Sequence, residues 1–164
     1  CNNKYGNNGW LGIASVWVSG KHIVQGTVKM NDTYFNAPRY NTVAWRNTVL
    51  CQEIGHTLGL DHQDEDFSNT PLGTCMDYSS DPALNQHPNQ HDYDQLETIY
   101  AHLDSTTTAN SLSSKFPAWA DDVDTSDPSE WGKKIRHSPD GRSSLYEHNL
   151  GNGHKVFTFV IWAN

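Results

Sequence analysis

The sequence lacks the long apolar run that a membrane-spanning helix needs. Its longest uninterrupted apolar run is Phe159-Val160-Ile161-Trp162-Ala163, far short of the ~18 residues of a transmembrane segment. Basic residues are also scarce, with 11 Lys and Arg against 19 Asp and Glu and a formal net charge of −8. This charge disfavours nucleic acid and anionic membranes as partners. We therefore expect neither partner, and we expect a monomer whose 164 residues suffice for one domain with a proper core.

The densest functional pattern begins at Gln52 and reads Q-E-I-G-H-T-L-G-L-D-H. It follows H-E-x-x-H-x-x-G-x-x-H at every fixed position except the first, where Gln52 replaces histidine. Residues four apart share one face of a helix, so Gln52 and His56 can converge on one metal ion, with Glu53 beside them. Gly59 allows a left-handed turn that ends the helix and returns His62 as a third ligand. Three protein ligands leave a fourth position open, which is typical of a catalytic zinc site.

This pattern resembles that of the metzincin clan of zinc endopeptidases, which includes matrixins, astacins and serralysins. Downstream, Met76 and Tyr78 match the Met-x-Tyr of the methionine turn in astacins and serralysins. The resemblance spans roughly residues 10–103. It implies an α+β core of the zincin type, with a small twisted sheet, an active-site helix, a methionine turn beneath the metal and a C-terminal helix. Met76 would then form the apolar floor of the site, and Tyr78 would bind the metal or the reacting carbonyl.

The activity that the resemblance implies is that of a secreted zinc-dependent endopeptidase with peptide or protein substrates. Gln52, His56 and His62 would hold one Zn²⁺, and Glu53 would act as general base toward a water activated by the metal. Tyr78 would help to stabilise the developing oxyanion.

Gln52 is the departure from the family pattern. An amide oxygen is a weaker donor to zinc than imidazole, so we expect a lower metal affinity. Cys51 is a poor substitute, because on a helix it points about 140° away from His56. A histidine from elsewhere, such as His87 or His91, could complete the site instead. These two histidines are four apart and could also bind a second metal, but Pro88 between them disfavours one regular helix, so two surface histidines are the better interpretation. Two further alternatives remain: a catalytically degenerate metzincin scaffold that serves as a secreted binding module, and a metal-dependent hydrolase of a non-peptide substrate.

The chain has only three cysteines. If the methionine turn lies beneath the metal helix, as the resemblance implies, Cys51 and Cys75 are placed to form a disulfide, which indicates an extracellular setting. The alternative is a pair of small buried thiols. Cys1 is then left over, and it suggests a partner on an upstream segment. Together with the short stretch before the metal helix, this predicts a processed or truncated N-terminus.

Residue patterns predict the elements around the motif. Strands are predicted at 9–18 and 22–30, and in metzincins a strand here borders the cleft and pairs with extended substrate. Asn41 is the predicted N-cap of the metal helix, whose apolar side holds Val43, Ala44, Leu50, Ile54 and Leu58. A second helix is predicted at 91–100, with Leu96, Ile99, Tyr100 and Leu103 as its buried stripe.

We divide the chain into a catalytic core, 1–104, and an extension, 105–164, that begins with a Ser/Thr-rich linker at 105–114. Strands predicted at 133–137, 142–148 and 155–162 form a small antiparallel sheet packed on the core. The last strand is apolar on both faces and is expected to be covered on both sides. The acidic segment 63–69 is interpreted as a solvated loop. A Ca²⁺ site there is a weaker alternative, because the segment lacks an EF-hand pattern.

Overall fold

The structure is a computed structural model that describes residues 1–102, 118–120 and 123–163. The described chain is α+β, as predicted, with few helices and one five-stranded antiparallel sheet of strand order β2-β1-β5-β4-β3. The strands are β1 Trp10–Ser19, β2 His22–Met30, β3 Lys133–His137, β4 Ser143–Gly151 and β5 His154–Trp162. The helices are α1 Asp32–Phe35, α2 Val43–Thr57 and α3 Gln90–Ile99, and short 3₁₀ turns lie at Pro82–Leu84, Ala118–Ala120 and Pro128–Glu130.

The two N-terminal strands form the predicted hairpin. Gly20, at φ +62°, supplies the left-handed residue of the turn between them. β1 is buried along most of its length because it lies inside the sheet, between β2 and β5. β2 is exposed or half-buried except at Met30 and forms one edge of the sheet.

The extension does not form the separate sheet predicted for it. Its last strand, β5, pairs with β1 along nearly its whole length, with Phe159 opposite Ala14. All three predicted strands form, and β5 lies between β1 and β4. One of its faces is buried, and the other is half-buried at Phe157 and Phe159 and buried at Ile161, so it is covered in part on the second side. The extension therefore continues the N-terminal sheet, because the two apolar faces of β5 are better buried in the sheet interior than at an edge. The predicted linker, 105–114, lies outside the described residues.

Helix α2 lies against one face of the sheet, chiefly against β1 and β2. Thr42, rather than the predicted Asn41, is its N-cap, and its side chain accepts a hydrogen bond from the Trp45 amide. Close approach depends on Gly12 and Gly26, since a Cβ at either position would lie 2.6–2.7 Å from side-chain atoms of the helix.

The predicted apolar side of α2 is not the side that packs on the sheet. Four of its five members are exposed, with exposed fractions of 39–71%: Val43, Leu50, Ile54 and Leu58. The buried side instead carries Trp45, Thr48, Val49, Gln52, Glu53, Gly55 and His56. The residues of the Gln52–His62 motif that lie on α2 thus face the sheet, whereas the apolar side that would ordinarily be buried faces outward.

Helix α3 begins after Asn89, which forms a capping box with Asp92. Its predicted buried stripe is wrong in part, because Ile99 and Tyr100 are exposed and only Leu96 is half-buried. Leu103 lies outside the described residues. His87 and His91 are both exposed, and His87 precedes the helix, as expected for two surface histidines.

The core under the sheet joins residues from both chain ends. One buried cluster contains Leu11, Met30, Phe35, Tyr40, Trp45, Val49, Phe67, Tyr78 and Ile161. Phe67 comes from the acidic segment 63–69, so that loop is anchored in the core rather than fully solvated. The predicted disulfide Cys51–Cys75 is confirmed and joins α2 to the methionine turn. Among the described residues, no helix combines the length and apolar character that a membrane crossing would need.

Candidate metal site

The end of α2 places His62 near His56. Gly59 has φ +93°, the left-handed conformation that a glycine adopts at low cost. The amide of Gly59 donates to the His56 carbonyl at 3.0 Å, and the amide of Leu60 donates to the Gly55 carbonyl at 3.1 Å. These two bonds form a Schellman motif, which stops the helix and reverses the chain. The rings of His56 and His62 consequently lie edge to face with centroids 4.5 Å apart.

Both histidines are held in the form that binds metal. His56 Nδ1 lies 2.9 Å from the Leu60 carbonyl oxygen. Because a carbonyl only accepts, Nδ1 carries the proton and Nε2 keeps its lone pair. Burial lowers the pKa of His56 well below its usual range, and burial also lowers the pKa of His62. Both rings are therefore neutral at pH 7, as ligation by imidazole requires.

The motif also buries polar atoms that have no hydrogen-bond partner within the described chain. These atoms are Gln52 Nε2, both carboxylate oxygens of Glu53, and His62 Nε2. Burial raises the pKa of Glu53 well above its usual range, an effect that the nearby Ala14 backbone amide offsets only in part. Unpartnered buried polar groups are costly and uncommon. The free His62 Nε2 and the Glu53 carboxylate fit a site that holds a ligand, and imidazole is a usual zinc ligand. The unpartnered atom of Gln52 is its amide nitrogen, whereas its oxygen is the atom that would bind a metal.

Met76 and Tyr78 lie beside the motif. Met76 is fully buried, and a Cβ added to Gly55 would lie 2.5 Å from its sulfur, so α2 rests directly on the methionine turn. The ring of Tyr78 lies 4.2 Å from that of His62 and stacks on Phe67 at 4.4 Å. Burial raises the pKa of the Tyr78 phenol well above its usual range. The phenol is therefore protonated at pH 7 and able to donate a hydrogen bond.

The extension covers this site. Phe159 of β5 stacks on His56 with ring centroids 3.9 Å apart and planes 9° from parallel. Gln52, Glu53 and His56 are each exposed by 2% or less. A cavity of about 440 Å³ lies instead on the other side of α2 and is lined by residues of α2, the methionine turn and α3.

Charged residues surround the outer edge of His62. Its Nδ1 lies 3.3 Å from Glu65 Oε1 and 3.7 Å from Asp61 Oδ1. Arg136 of β3 pairs with both carboxylates. Although burial alone would raise it, the pKa of Asp61 is lowered to about 2, chiefly by the hydrogen bond from Arg136.

The sequence analysis missed three contributors to the site. Glu65 follows His62 by three residues and could have been found as a nearby carboxylate. Arg136 and Phe159 come from the extension, and no sequence spacing relates them to the motif.

No protein-family model, curated protein or solved structure matches this chain.

Proposed function

We propose that this chain is a secreted, zinc-dependent endopeptidase of the metzincin type. The observation that carries the proposal is the pair of neutral histidines, His56 and His62, each with Nδ1 facing a hydrogen-bond acceptor. Beside them lies the buried Glu53, whose nearest donor among the described residues, the Ala14 amide, does not form a well-aligned hydrogen bond with it. Gln52 would be the third ligand through its side-chain oxygen. The Cys51–Cys75 disulfide supports an oxidising, extracellular setting.

When bound, a zinc ion would polarise the scissile carbonyl and lower the pKa of a water at the site. Glu53 lies one residue beyond Gln52, and its raised pKa suits a group that takes up a proton and then delivers it to the leaving amine. The Tyr78 phenol would donate a hydrogen bond to the developing oxyanion.

A specific observation also favours one other function. Phe159 covers His56 and Gln52 replaces a histidine ligand, as a degenerate scaffold that serves as a secreted binding module would allow. This alternative predicts no stoichiometric metal and no cleavage of denatured protein.

A peptide-library digest with and without a chelator separates the two functions. The endopeptidase predicts cleavage that the chelator abolishes, and loss of cleavage in Glu53→Gln with zinc retained. Glu97→Gln is the matched control, because Glu97 is exposed on α3. Full cleavage by Glu53→Gln would refute the assignment of the base, and the absence of cleavage and metal in the wild type would favour the binding module.

A further inference from the structure

Arg136 links the extension to the candidate metal site. It lies on β3, 75 residues after Asp61, and its Nη1 donates to Asp61 Oδ2 at 2.8 Å. Its Nη2 donates to the other oxygen of the same carboxylate, so the pair is bidentate. Arg136 Nε lies 3.0 Å from Glu65 Oε1. One guanidinium therefore holds two carboxylates at fixed positions.

Glu65 is the carboxylate that faces the ring of His62. Its Oε1, which contacts Arg136, also lies 3.3 Å from His62 Nδ1. A carboxylate at Nδ1 keeps the proton there and leaves Nε2 as the free lone pair. His62 Nε2 is buried and has no hydrogen-bond partner within the described chain. The contact thus turns the free nitrogen of His62 toward the interior, where His56 lies.

We propose that Glu65 and Arg136 are positioning residues for His62: Glu65 fixes its tautomer and ring orientation, and Arg136 fixes Glu65. The inference rests on the proposed function, because it takes His62 as a metal ligand. It also gives the extension a role at the metal site, since Arg136 reaches the site only through the pairing of β3 in the shared sheet.

The same three side chains could instead be a cation site of their own. The ligand atoms of Asp61, His62 and Glu65 lie within 4.8 Å of one another. However, Arg136 already pairs with both carboxylates, and a cation there would have to displace a guanidinium that holds one of them at two points. The contacts favour a role in orienting His62.

Cobalt binding to the full chain tests the inference without reference to activity. The affinity for Co²⁺ is read from its visible absorption in wild type, Glu65→Ala and Arg136→Ala. Loss of an outer partner of a metal-binding histidine weakens affinity by roughly 10- to 100-fold. We expect such a loss in Glu65→Ala and a loss of roughly 10-fold in Arg136→Ala. Lys133→Ala is the matched control, a cation on the same strand that is exposed, and it should bind Co²⁺ as the wild type does.

The double variant distinguishes positioning from a general effect of charge. If Arg136 acts through Glu65, then Arg136→Ala causes no further loss of Co²⁺ affinity in the Glu65→Ala background. Arg136→Lys and Glu65→Gln serve as second variants should an alanine variant fail to fold, with circular dichroism of the metal-free proteins as the check. Arg136→Lys keeps the charge but not the fork, so it should also bind Co²⁺ more weakly.

The outcomes separate this inference from the proposed function. The inference alone would be overturned if the wild type binds Co²⁺ and His62→Ala does not, while the Glu65 and Arg136 variants bind Co²⁺ as tightly as the wild type. Wild-type protein that binds no Co²⁺, or binds it equally well in His62→Ala, would overturn both.

Discussion

Reduction of the Cys51–Cys75 disulfide should lower the free energy of unfolding by an amount that depends on the length of the loop that the bond closes. The bond joins residues 24 apart in sequence, and closing such a loop in the unfolded chain corresponds to about 3.5 kcal/mol at 25 °C in the chain-entropy model. A domain of this size loses about 2–4 °C of melting temperature per kcal/mol. The reduced protein should therefore melt about 7–14 °C below the oxidised protein.

The comparison is cleanest in a Cys1→Ser background, where reduction changes only the one bond and the exposed Cys1 thiol cannot form mixed disulfides. Both forms are measured without metal, so that ligand binding does not contribute to the stability. Thermal melts followed by circular dichroism, with urea titrations as a second measure, give the difference. Melting temperatures that agree within about 2 °C would contradict this prediction, because the loss of a constraint on a loop of this length should lower the melting temperature by more than that.

Three further predictions concern the site. In metal-free protein, the free energy of unfolding should fall as the pH rises above the range in which an unfolded glutamate loses its proton, because the folded Glu53 carboxyl has a raised pKa and is still protonated there. Urea unfolding across this pH range should show a smaller fall in Glu53→Gln, and identical pH profiles of the two proteins would contradict the prediction. Gly12→Ala should lower the free energy of unfolding by about 1–3 kcal/mol and turnover by up to about 100-fold, because the new Cβ would lie 2.6 Å from Glu53 Oε1 and from Val49 Cγ1. A variant with the stability and turnover of the wild type would contradict this prediction. Phe159→Ala should speed removal of the metal by a chelator, because the ring that stacks on His56 is lost. Phe157→Ala, on the same face of β5, is the control, and equal removal rates in the two variants would contradict a covering role for Phe159.

Local patterns predicted the elements well. The strands β1 to β5 and the helices α2 and α3 all form close to their expected positions, because each rests on nearby residues: alternation, turn glycines and caps. The disulfide followed from the resemblance, which implies that the turn bearing Cys75 lies beneath the helix that carries Cys51.

The predictions that were wrong concern features that depend on contacts between segments distant in sequence. The apolar stripe of α2 pointed to Leu50, Ile54 and Leu58 as core residues, yet these are exposed, because the helix turns Gln52, Glu53 and His56 toward the sheet. The period of a pattern gives the faces of a helix but does not say which face the sheet covers.

The pairing of β5 with β1 could not be predicted from the sequence either. Both strands are apolar on both faces, so periodicity leaves their partners open, and the pairing places Phe159 and Arg136 at a site more than 70 residues away in sequence. The motif predicts which residues could hold a metal, whereas the tertiary fold decides what covers and orients them.

The most direct test of the central claim is a zinc titration against a colorimetric chelator. We expect one zinc per chain, retained in Glu53→Gln and in the exposed control His91→Ala, and lost or bound much more weakly in His62→Ala. A wild-type chain with no stoichiometric zinc, or a His62→Ala variant that binds zinc as tightly as the wild type, would contradict it.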